Sequence, residues 1–405
     1  MTRLEPLLQR AGALLNEARD VVLGRVEGPD PPGWCTTRGW EAFLLGLDEP
    51  ALRRCEAEGL CAAIEDLPAA PASLRALCAE VRALLTALPC ADPSADPGAD
   101  PALALRGASP RKQAQVAALV RWAGRGSWSR VVDVGAGRGH LTRELARALG
   151  APALGLEREP QRVRAATALA GDAPVGDAPV AFQVADALAG PLPLRPGDLL
   201  VGLHACGRLS DVLVEAAARA RVDLLLVGCC LQKTAAPARE PVSAQGRRLG
   251  LSFPRAVLGL ANLHDHVPGA GEITDRSQAG RATRQALRAL LRARGASVAA
   301  GEELRGLPRW GLRRGLEVAA GLALAARGLP PASPAELRAA ATGAAAALER
   351  TRRLALPRAA LGRPLELAVA LDRARALEEA GLATTVEVAF GLAHGPRNLL
   401  VRARV

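Results

Sequence analysis

Short apolar runs divide the middle of the chain into candidate strands. Most of these runs are rich in Val or Leu, as buried strands are, and each ends at or just before a polar or small residue. The runs cover residues 131–134, 153–157, 181–186, 198–203 and 223–227. Between them, Leu141–Leu149 and Pro160–Ala170 carry apolar residues at helical spacing. Strands that alternate with helices predict an α/β fold with a parallel sheet.

The regions around these strands have other patterns. Residues 1–90 are helical by their apolar spacing. Residues 91–107 repeat Asp-Pro, which suits neither helix nor strand, and therefore predict a linker. Residues 108–230 hold the strands, residues 231–382 have the pattern of a helical insertion, and residues 383–405 predict a final antiparallel β-hairpin. A chain of 405 residues has room for two domains, or for one domain with a large insertion.

Capping residues predict where several helices begin. Met1–Arg25 has the pattern of one amphipathic helix. Ser109, followed by proline, predicts the N-cap of the helix that precedes the first strand. Ser210 predicts the N-cap of the helix after the fourth strand, and Ser333 with Glu336 forms a capping-box pattern in the insertion.

A glycine-rich turn follows the first strand. Three glycines stand at alternate positions after Asp133, and the helix of Leu141–Leu149 comes next. A dinucleotide fingerprint needs G-x-G-x-x-G, and here the third glycine falls one position early, which disfavours a nicotinamide oxidoreductase. The order D-x-G-x-G-x-G resembles the first motif of class I S-adenosylmethionine (SAM) methyltransferases. The resemblance implies that the cofactor is SAM and that this turn binds it. The residues assigned to binding are Asp133, Gly135, Ala136, Gly137 and Gly139.

Polar residues at other strand ends support a cofactor site. Glu157 ends the second strand about twenty residues past the glycines, where a carboxylate can accept the ribose hydroxyls. Asp186 ends the third strand and is placed to meet the adenine edge. Lys112 and Lys233 are the only lysines, and we assign Lys112 to the cofactor site because either ammonium could hold the methionine carboxylate or a phosphate.

The loops after the fourth and fifth strands should face the reactive methyl group, because ligands bind beyond the carboxyl ends of parallel strands. The first contains His204 and Cys206, and the second contains Cys229 and Cys230. His204 has a pKa suited to base work, so it and Cys206 are the candidate catalytic residues, and His204 is also a candidate cofactor contact. The four residues together could ligate zinc, but adjacent cysteines fit one tetrahedral ion poorly. We therefore predict packed thiols and no metal.

Composition bears on the partner. The formal charge is +11, which favours an anionic partner such as RNA, although an arginine-rich composition would produce the same charge without any function. The chain has eight cysteines, too few for a secreted disulfide framework, and no apolar run approaches the ~20 residues that cross a bilayer. These features, with a charged N-terminus, predict a cytoplasmic protein without membrane contact.

Two short segments could contact a substrate. Trp310 could stack on an unpaired base, although a tryptophan is more often a core residue. Asn262–His266 contributes His264 and His266, which could line a pocket or lie in a surface loop. Three arginines flank the tryptophan, namely Arg309, Arg313 and Arg314.

Several segments together resemble the methyltransferase-like 25 family, which includes members named for an rRNA adenine dimethylase domain. They are Ser109–Gln113, the glycine turn, Leu203–Gly207, Gly228–Cys230, Leu371–Arg373 and Pro396–Leu399. The third and fourth also resemble the tRNA 2′-O-methyltransferase that acts on the acceptor stem. The resemblance implies a class I (Rossmann-like) methyltransferase sheet, SAM as cofactor, and rRNA or tRNA as substrate; a protein substrate and a non-catalytic SAM-binding scaffold are the alternatives. The chain departs from the family at Arg111, where a second lysine is usual, and it lacks a D/N-P-P-Y motif after the fourth strand, which disfavours methylation of an exocyclic amine.

Overall fold

The structure is a computed structural model that describes residues 4–26, 30–88, 108–124, 126–171, 178–262, 271–298, 301–308 and 310–405. The chain forms two compact units. The first comprises Met1–Arg19, Glu80–Asp265 and Leu361–Val405, and the second comprises Asp20–Ala79 and His266–Ala360. The predicted Asp-Pro linker lies outside the described residues.

The helices and strands are numbered in chain order. The helices are α1 Leu4–Glu17, α2 Arg19–Leu23, α3 Gly33–Thr37, α4 Glu41–Leu45, α5 Glu49–Glu58, α6 Leu60–Ala63, α7 Ala72–Thr86, α8 Pro110–Ala123, α9 His140–Leu149, α10 Pro160–Ala170, α11 Arg208–Ala220, α12 Ala244–Arg248, α13 Arg255–Leu258, α14 Gly271–Ala293, α15 Leu316–Ala325, α16 Pro334–Ala360 and α17 Gly362–Glu379. The strands are β1 Arg130–Val134, β2 Ala153–Glu157, β3 Val180–Val184, β4 Asp198–Ala205, β5 Asp223–Gly228, β6 Ala238–Arg239, β7 Phe253–Pro254, β8 Ala383–Val388 and β9 Leu399–Arg404.

The first unit is built on a seven-stranded sheet with the order β3-β2-β1-β4-β5-β9-β8. Neighbours from β3 to β5 pair in parallel, whereas β9 is antiparallel to both β5 and β8. Parallel strands joined by helices and closed by one antiparallel strand form the sheet of class I methyltransferases. This confirms the predicted fold class, including the final antiparallel pair.

Helices cover both faces of the sheet. Val131, Leu199 and Leu225 share one apolar core with residues of α8 and α9. Neighbouring residues of a strand point to opposite faces, and Val132 and Leu200 are also fully buried, so the other face is covered as well. The sheet is therefore accessible at its strand ends, which is where parallel sheets place their ligand sites.

Two predicted helices differ from the structure. The N-terminal segment forms two helices, α1 and α2, instead of one. The helix after β4 begins at Arg208, with Gly207 as N-cap at φ 53°, so Ser210 lies inside α11 and does not cap it. The Ser210 hydroxyl donates to the carbonyl oxygen of Ala205 at 2.6 Å. A glycine with positive φ begins the helix earlier than the serine pattern predicts.

The division into units also differs from the predicted segments. Helix α1, from the predicted N-terminal region, belongs to the unit that contains the sheet and packs on α17. Helix α17, from the predicted insertion, packs on β8, β9 and α11. Both ends of the predicted insertion thus belong to the first unit, and helical periodicity alone could not show which neighbour each helix would have.

The second unit is helical. Helices α14, α15 and α16 share a core that includes Leu287, Leu291 and Leu324. The capping box is present: the Ser333 hydroxyl accepts from the backbone N–H of Glu336, and the Glu336 carboxylate accepts from that of Ser333 at 2.8 Å. None of the helices among the described residues combines the length and apolar character needed to cross a bilayer.

Candidate active site

The glycine turn joins β1 to α9 and leaves room on one side. Gly137 has a φ of +60°, and a Cβ built there meets no atom closer than the Gly135 carbonyl oxygen at 3.9 Å. Gly139 has a φ of +73°, and a Cβ there would lie 2.3 Å from the Phe182 ring. Gly139 is therefore needed for packing, while the turn is open at Gly137, next to the N-terminus of α9, where helix N–H groups favour a polar ligand.

Asp133 lies beneath the turn. It is buried, and its carboxylate accepts from the Thr142 hydroxyl at 2.6 Å. Burial raises the pKa of Asp133 to about 6, while the Thr142 hydrogen bond and the charge of Lys112 oppose the shift. Asp133 therefore ties β1 to α9 and contributes negative charge under the pocket.

Glu157 connects β2 to the same turn. One carboxylate oxygen accepts from the Gly137 N–H at 3.0 Å and the other from the Glu159 N–H at 3.1 Å. A carboxylate has about four acceptor sites, so Glu157 retains capacity for the ribose hydroxyls predicted from the sequence.

Asp186 stands just past β3, which ends at Val184 and not at Asp186 as predicted. Its carboxylate accepts from the Leu188 N–H at 2.9 Å, and the residue is exposed. Val184 and Leu188 are about half exposed on either side of it. Exposed apolar side chains beside a carboxylate form a surface suited to a heteroaromatic ring with polar edges.

The two lysines lie in different surroundings. Lys112 lies in the first turn of α8, capped as predicted by Ser109, and burial lowers the pKa of its ammonium while Asp133 opposes that shift. The described residues form no hydrogen bond to this ammonium, so it can accept an anionic ligand group. The charge of Lys233 instead acts on Cys206, next to the thiols that follow β4 and β5.

His204 is held in an unusual conformation at the end of β4. Its φ is +61°, in the left-handed region that costs a non-glycine residue energy. The imidazole Nε2 lies 2.9 Å from Gln115 Oε1, and the Gln115 amide donates to the carbonyl of His394 at 2.6 Å. Burial, with the charges of Lys112 and Arg111, lowers the pKa of His204 to about 4. The imidazole is therefore neutral at pH 7 and donates a hydrogen bond to Gln115.

The thiols of Cys206, Cys229 and Cys230 form a cluster, with sulfur atoms within 4.8 Å of one another. As thiols, Cys206 and Cys229 both donate to the carbonyl oxygen of His204, at 3.2 and 3.3 Å. The His204 imidazole bonds to Gln115 through Nε2 and is not part of this cluster. The three sulfur atoms are close enough to ligate a soft ion, and the absence of metal stays a prediction.

A buried ionic network holds the loop after β4 from behind. Asp211 accepts from Arg373 at 2.8 Å and from Arg239 at 3.0 Å, and Arg239 also donates to Asp372 at 2.8 Å. Arg373 donates to the carbonyl of Gly207 at 3.2 Å. Asp372 and Arg373 belong to the quoted segment Leu371–Arg373, and Arg373 thus ties α17 to the loop that carries Cys206.

Gln115 is the residue of this site that the sequence analysis missed. It is buried within an otherwise apolar helical run that continues to Leu119, three residues after Lys112, so the two share one helix face. A glutamine at a core-facing position is the signal that could have identified it. His264 and His266 lie outside the described residues.

A family comparison identifies the kind of domain that carries this site. Residues 112–237, less than half of the chain, match a family described as a methyltransferase domain. No protein with a curated description matches the chain. The YcgJ protein of Bacillus subtilis aligns with 25% identity over 28% of this chain and 50% of its own length, with a TM-score of 0.25. The plantazolicin methyltransferase BpumL in complex with SAH aligns with 11% identity over 27% of this chain and 41% of its own, with a TM-score of 0.20.

The chain thus spans about half or less of these two structures. Because both TM-scores are low, the assignment rests on the strand order and on the matched domain. The protein carries a methyltransferase domain of the SAM-dependent class. The residues fit SAM: an open glycine turn, the Lys112 ammonium, to which the described residues form no hydrogen bond, a carboxylate at the end of β2 and an apolar surface beside Asp186.

Proposed function

We propose that this protein transfers a methyl group from SAM to RNA, with rRNA or tRNA as the substrate. The observation that carries the choice of RNA is Trp310, whose surface is 51% exposed, in contrast to the core position that tryptophan usually has. The guanidinium of Arg314 lies 5.4 Å from the centre of its ring. An exposed aromatic ring beside arginine is a combination that binds single-stranded bases by stacking and charge.

Two sequence features support the same substrate. The net charge of +11 favours a polyanion. The resemblance to the methyltransferase-like 25 family, and of two segments to a tRNA 2′-O-methyltransferase, also favours RNA. Without a D/N-P-P-Y motif after β4, the proposed acceptor is not a typical exocyclic amine.

The residues after β4 limit the chemistry. SAM supplies a methyl group that is already activated, so the protein mainly has to position the acceptor. A conjugate acid with a pKa of about 4 makes His204 a weak base, and its Nε2 is engaged by Gln115, so we assign His204 a positioning role. The pKa of Cys206 is lowered to about 6 by its neighbours, with Cys229 foremost, so Cys206 is the stronger candidate to accept a proton.

The test of the methyl acceptor is transfer of tritiated methyl groups from SAM to a lysate of a deletion strain, separated into RNA and protein fractions. We expect label in RNA with the native protein and none with Gly137→Val. Label only in protein would replace RNA by a protein substrate. If the protein binds SAM but neither fraction is labelled, the result would favour the alternative of a non-catalytic SAM-binding scaffold.

RNA binding at several salt concentrations tests whether the surface of Trp310, Arg313 and Arg314 contacts RNA. Reversing charge at Arg313 and Arg314 should weaken RNA binding and its salt dependence while SAM affinity stays the same, since neutralised phosphates release counterions. Arg338→Glu makes the same type of charge change at another exposed arginine of this unit and should have a smaller effect. Equal effects of these substitutions, or RNA binding insensitive to salt, would remove Trp310 and its arginines from the proposal.

A further inference from the structure

Cys206 and Cys229 follow paired positions of neighbouring strands. Ala205, the last residue of β4, pairs in register with Gly228, the last residue of β5, and each cysteine is the first residue after its strand. Adjacent strands lie about 4.8 Å apart, within the usual range for the Cα atoms of a disulfide. Their sulfur atoms already lie within 4.8 Å of each other, so a bond between them needs only a small side-chain movement.

The two thiols have different surroundings. Cys206 is partly exposed, and its pKa is lowered to about 6 by hydrogen bonds from the Cys229 thiol and the Cys230 N–H and by the charge of Lys233. Cys229 is buried, and the neighbouring Cys206 and burial raise its pKa. An accessible thiolate beside a buried neutral thiol is the arrangement of an attacking and a resolving cysteine.

We propose that Cys206 and Cys229 are a redox-active dithiol that closes to an intramolecular disulfide by exchange with a small disulfide such as oxidised glutathione. The Cys206 thiolate attacks one sulfur of oxidised glutathione, forms a mixed disulfide and releases one glutathione thiolate. Cys229 then loses its proton to solvent and attacks the Cys206 sulfur, which releases the second glutathione. Two protein thiols are oxidised, and one glutathione disulfide is reduced to two glutathione molecules.

Closure of this bond would reach the methyl-transfer site through His204. Both sulfur atoms lie within hydrogen-bond distance of the His204 carbonyl oxygen, at 3.2 and 3.3 Å. Cys229, the neutral thiol, can donate its S–H to this oxygen, and a disulfide has no S–H to donate. That carbonyl belongs to a residue with a φ of +61°, a conformation that persists only when its surroundings hold it. Oxidation therefore removes the Cys229 hydrogen bond to this carbonyl, one of the contacts that fix the backbone beside the proposed cofactor site.

The first test measures reactivity in the full-length, reduced protein. At pH 6 the alkylation of Cys206 by iodoacetamide should be about tenfold faster than in the urea-unfolded chain, since the gain in thiolate outweighs the lower nucleophilicity of a low-pKa thiol. Cys35 and Cys55 serve as internal controls, because burial raises the pKa of each to about 11. Their alkylation should be slower in the folded protein than in the unfolded chain. Equal rates for folded and unfolded Cys206 would overturn the assignment of the attacking thiol.

The second test follows incubation with oxidised glutathione by peptide mapping without reduction. We expect a Cys206–Cys229 disulfide, a glutathione adduct trapped on Cys206 in Cys229→Ser, and no adduct on Cys229 in Cys206→Ser. Cys230→Ser is the matched control and should still form the disulfide. The proposal would be contradicted by a Cys206–Cys230 bond, or by the absence of a glutathione adduct on Cys206 in Cys229→Ser. About one tightly bound zinc per purified chain that blocks all three thiols would also contradict it.

Discussion

His204 Nε2 lies 2.9 Å from Gln115 Oε1, although 89 residues separate the two in sequence. The contact joins the helix that precedes the sheet to the end of β4, on the side where Lys112 and the glycine turn lie. In this contact the neutral imidazole donates through Nε2–H, while burial, foremost, and the positive charges of Lys112 and Arg111 disfavour its protonation.

A carboxylate in place of the amide should reverse this preference. We expect Gln115→Glu to raise the pKa of His204 by about one to three units, because an opposite charge at hydrogen-bond distance favours the imidazolium. Titration of labelled histidine by NMR measures the value. Gln113→Glu, on the same helix, should leave it nearly unchanged. A similar rise in both variants would show that the contact with Gln115 does not control the imidazole.

Acid should destabilise the folded protein through His204. Its pKa is about 4 when folded and 6.5 when unfolded, so between these values the unfolded chain binds more protons and stability falls as the pH falls. The loss attributable to His204 is at most about 3 kcal/mol.

The difference between native protein and His204→Asn isolates this effect, since asparagine tolerates the positive φ. The comparison is needed because the pKa of Asp133 is raised to about 6, which acts in the opposite direction over the same range. Urea denaturation at pH 7, 5.5 and 4 should show that the free energy of unfolding falls less with decreasing pH in the variant than in the native protein. Parallel curves for the two proteins would count against a depressed pKa at His204.

Two glycines of the turn should respond differently to alanine. Gly139→Ala should cost about 2–4 kcal/mol of unfolding free energy, because a positive φ adds to a clash with Phe182. Gly137→Ala should cost about 1–2 kcal/mol, because it has the strain without the clash. Denaturant unfolding measures both, and a larger loss for Gly137→Ala would show that the open side of the turn is wrongly placed.

Glu157→Ala should weaken SAM binding by about 1.5–3 kcal/mol, the scale of hydrogen bonds to a charged group. Part of this loss would come from the turn itself, because Glu157 also accepts from the Gly137 N–H. Calorimetry of SAM binding is the measurement, with Glu159→Ala as control, since that side chain pairs with Arg162 instead. Equal affinities of Glu157→Ala and native protein would remove Glu157 from the cofactor site.

Local patterns predicted much of this fold. The apolar runs correspond to β1, β2, β4 and β5, Pro160–Ala170 is helical as predicted, and Ser109 caps α8. Because such features depend on residues that are neighbours in the chain, periodicity and capping rules can predict them. The helix after β4 begins three residues earlier than predicted, because its N-cap is Gly207 with positive φ and not Ser210.

The missed parts depend on contacts between distant segments. Gln115 meets His204, and Asp211 meets Arg239 and Arg373, only after the sheet has formed. Trp310 was predicted more readily as core, and its exposure follows from how its own unit packs, which composition does not determine. The cysteines were predicted to lie together because parallel strand ends meet at one edge of the sheet. The sequence did not predict that two of them lie against the His204 carbonyl oxygen.

The central claim is a SAM site on the glycine turn, and calorimetric titration of the reduced, full-length protein with SAM tests it most directly. We expect one SAM per chain, a rise in melting temperature with SAM but not with a nicotinamide dinucleotide, and no SAM binding by Gly137→Val that remains folded by circular dichroism. Equal SAM affinity of folded Gly137→Val and native protein, or stabilisation by the dinucleotide and not by SAM, would contradict the account.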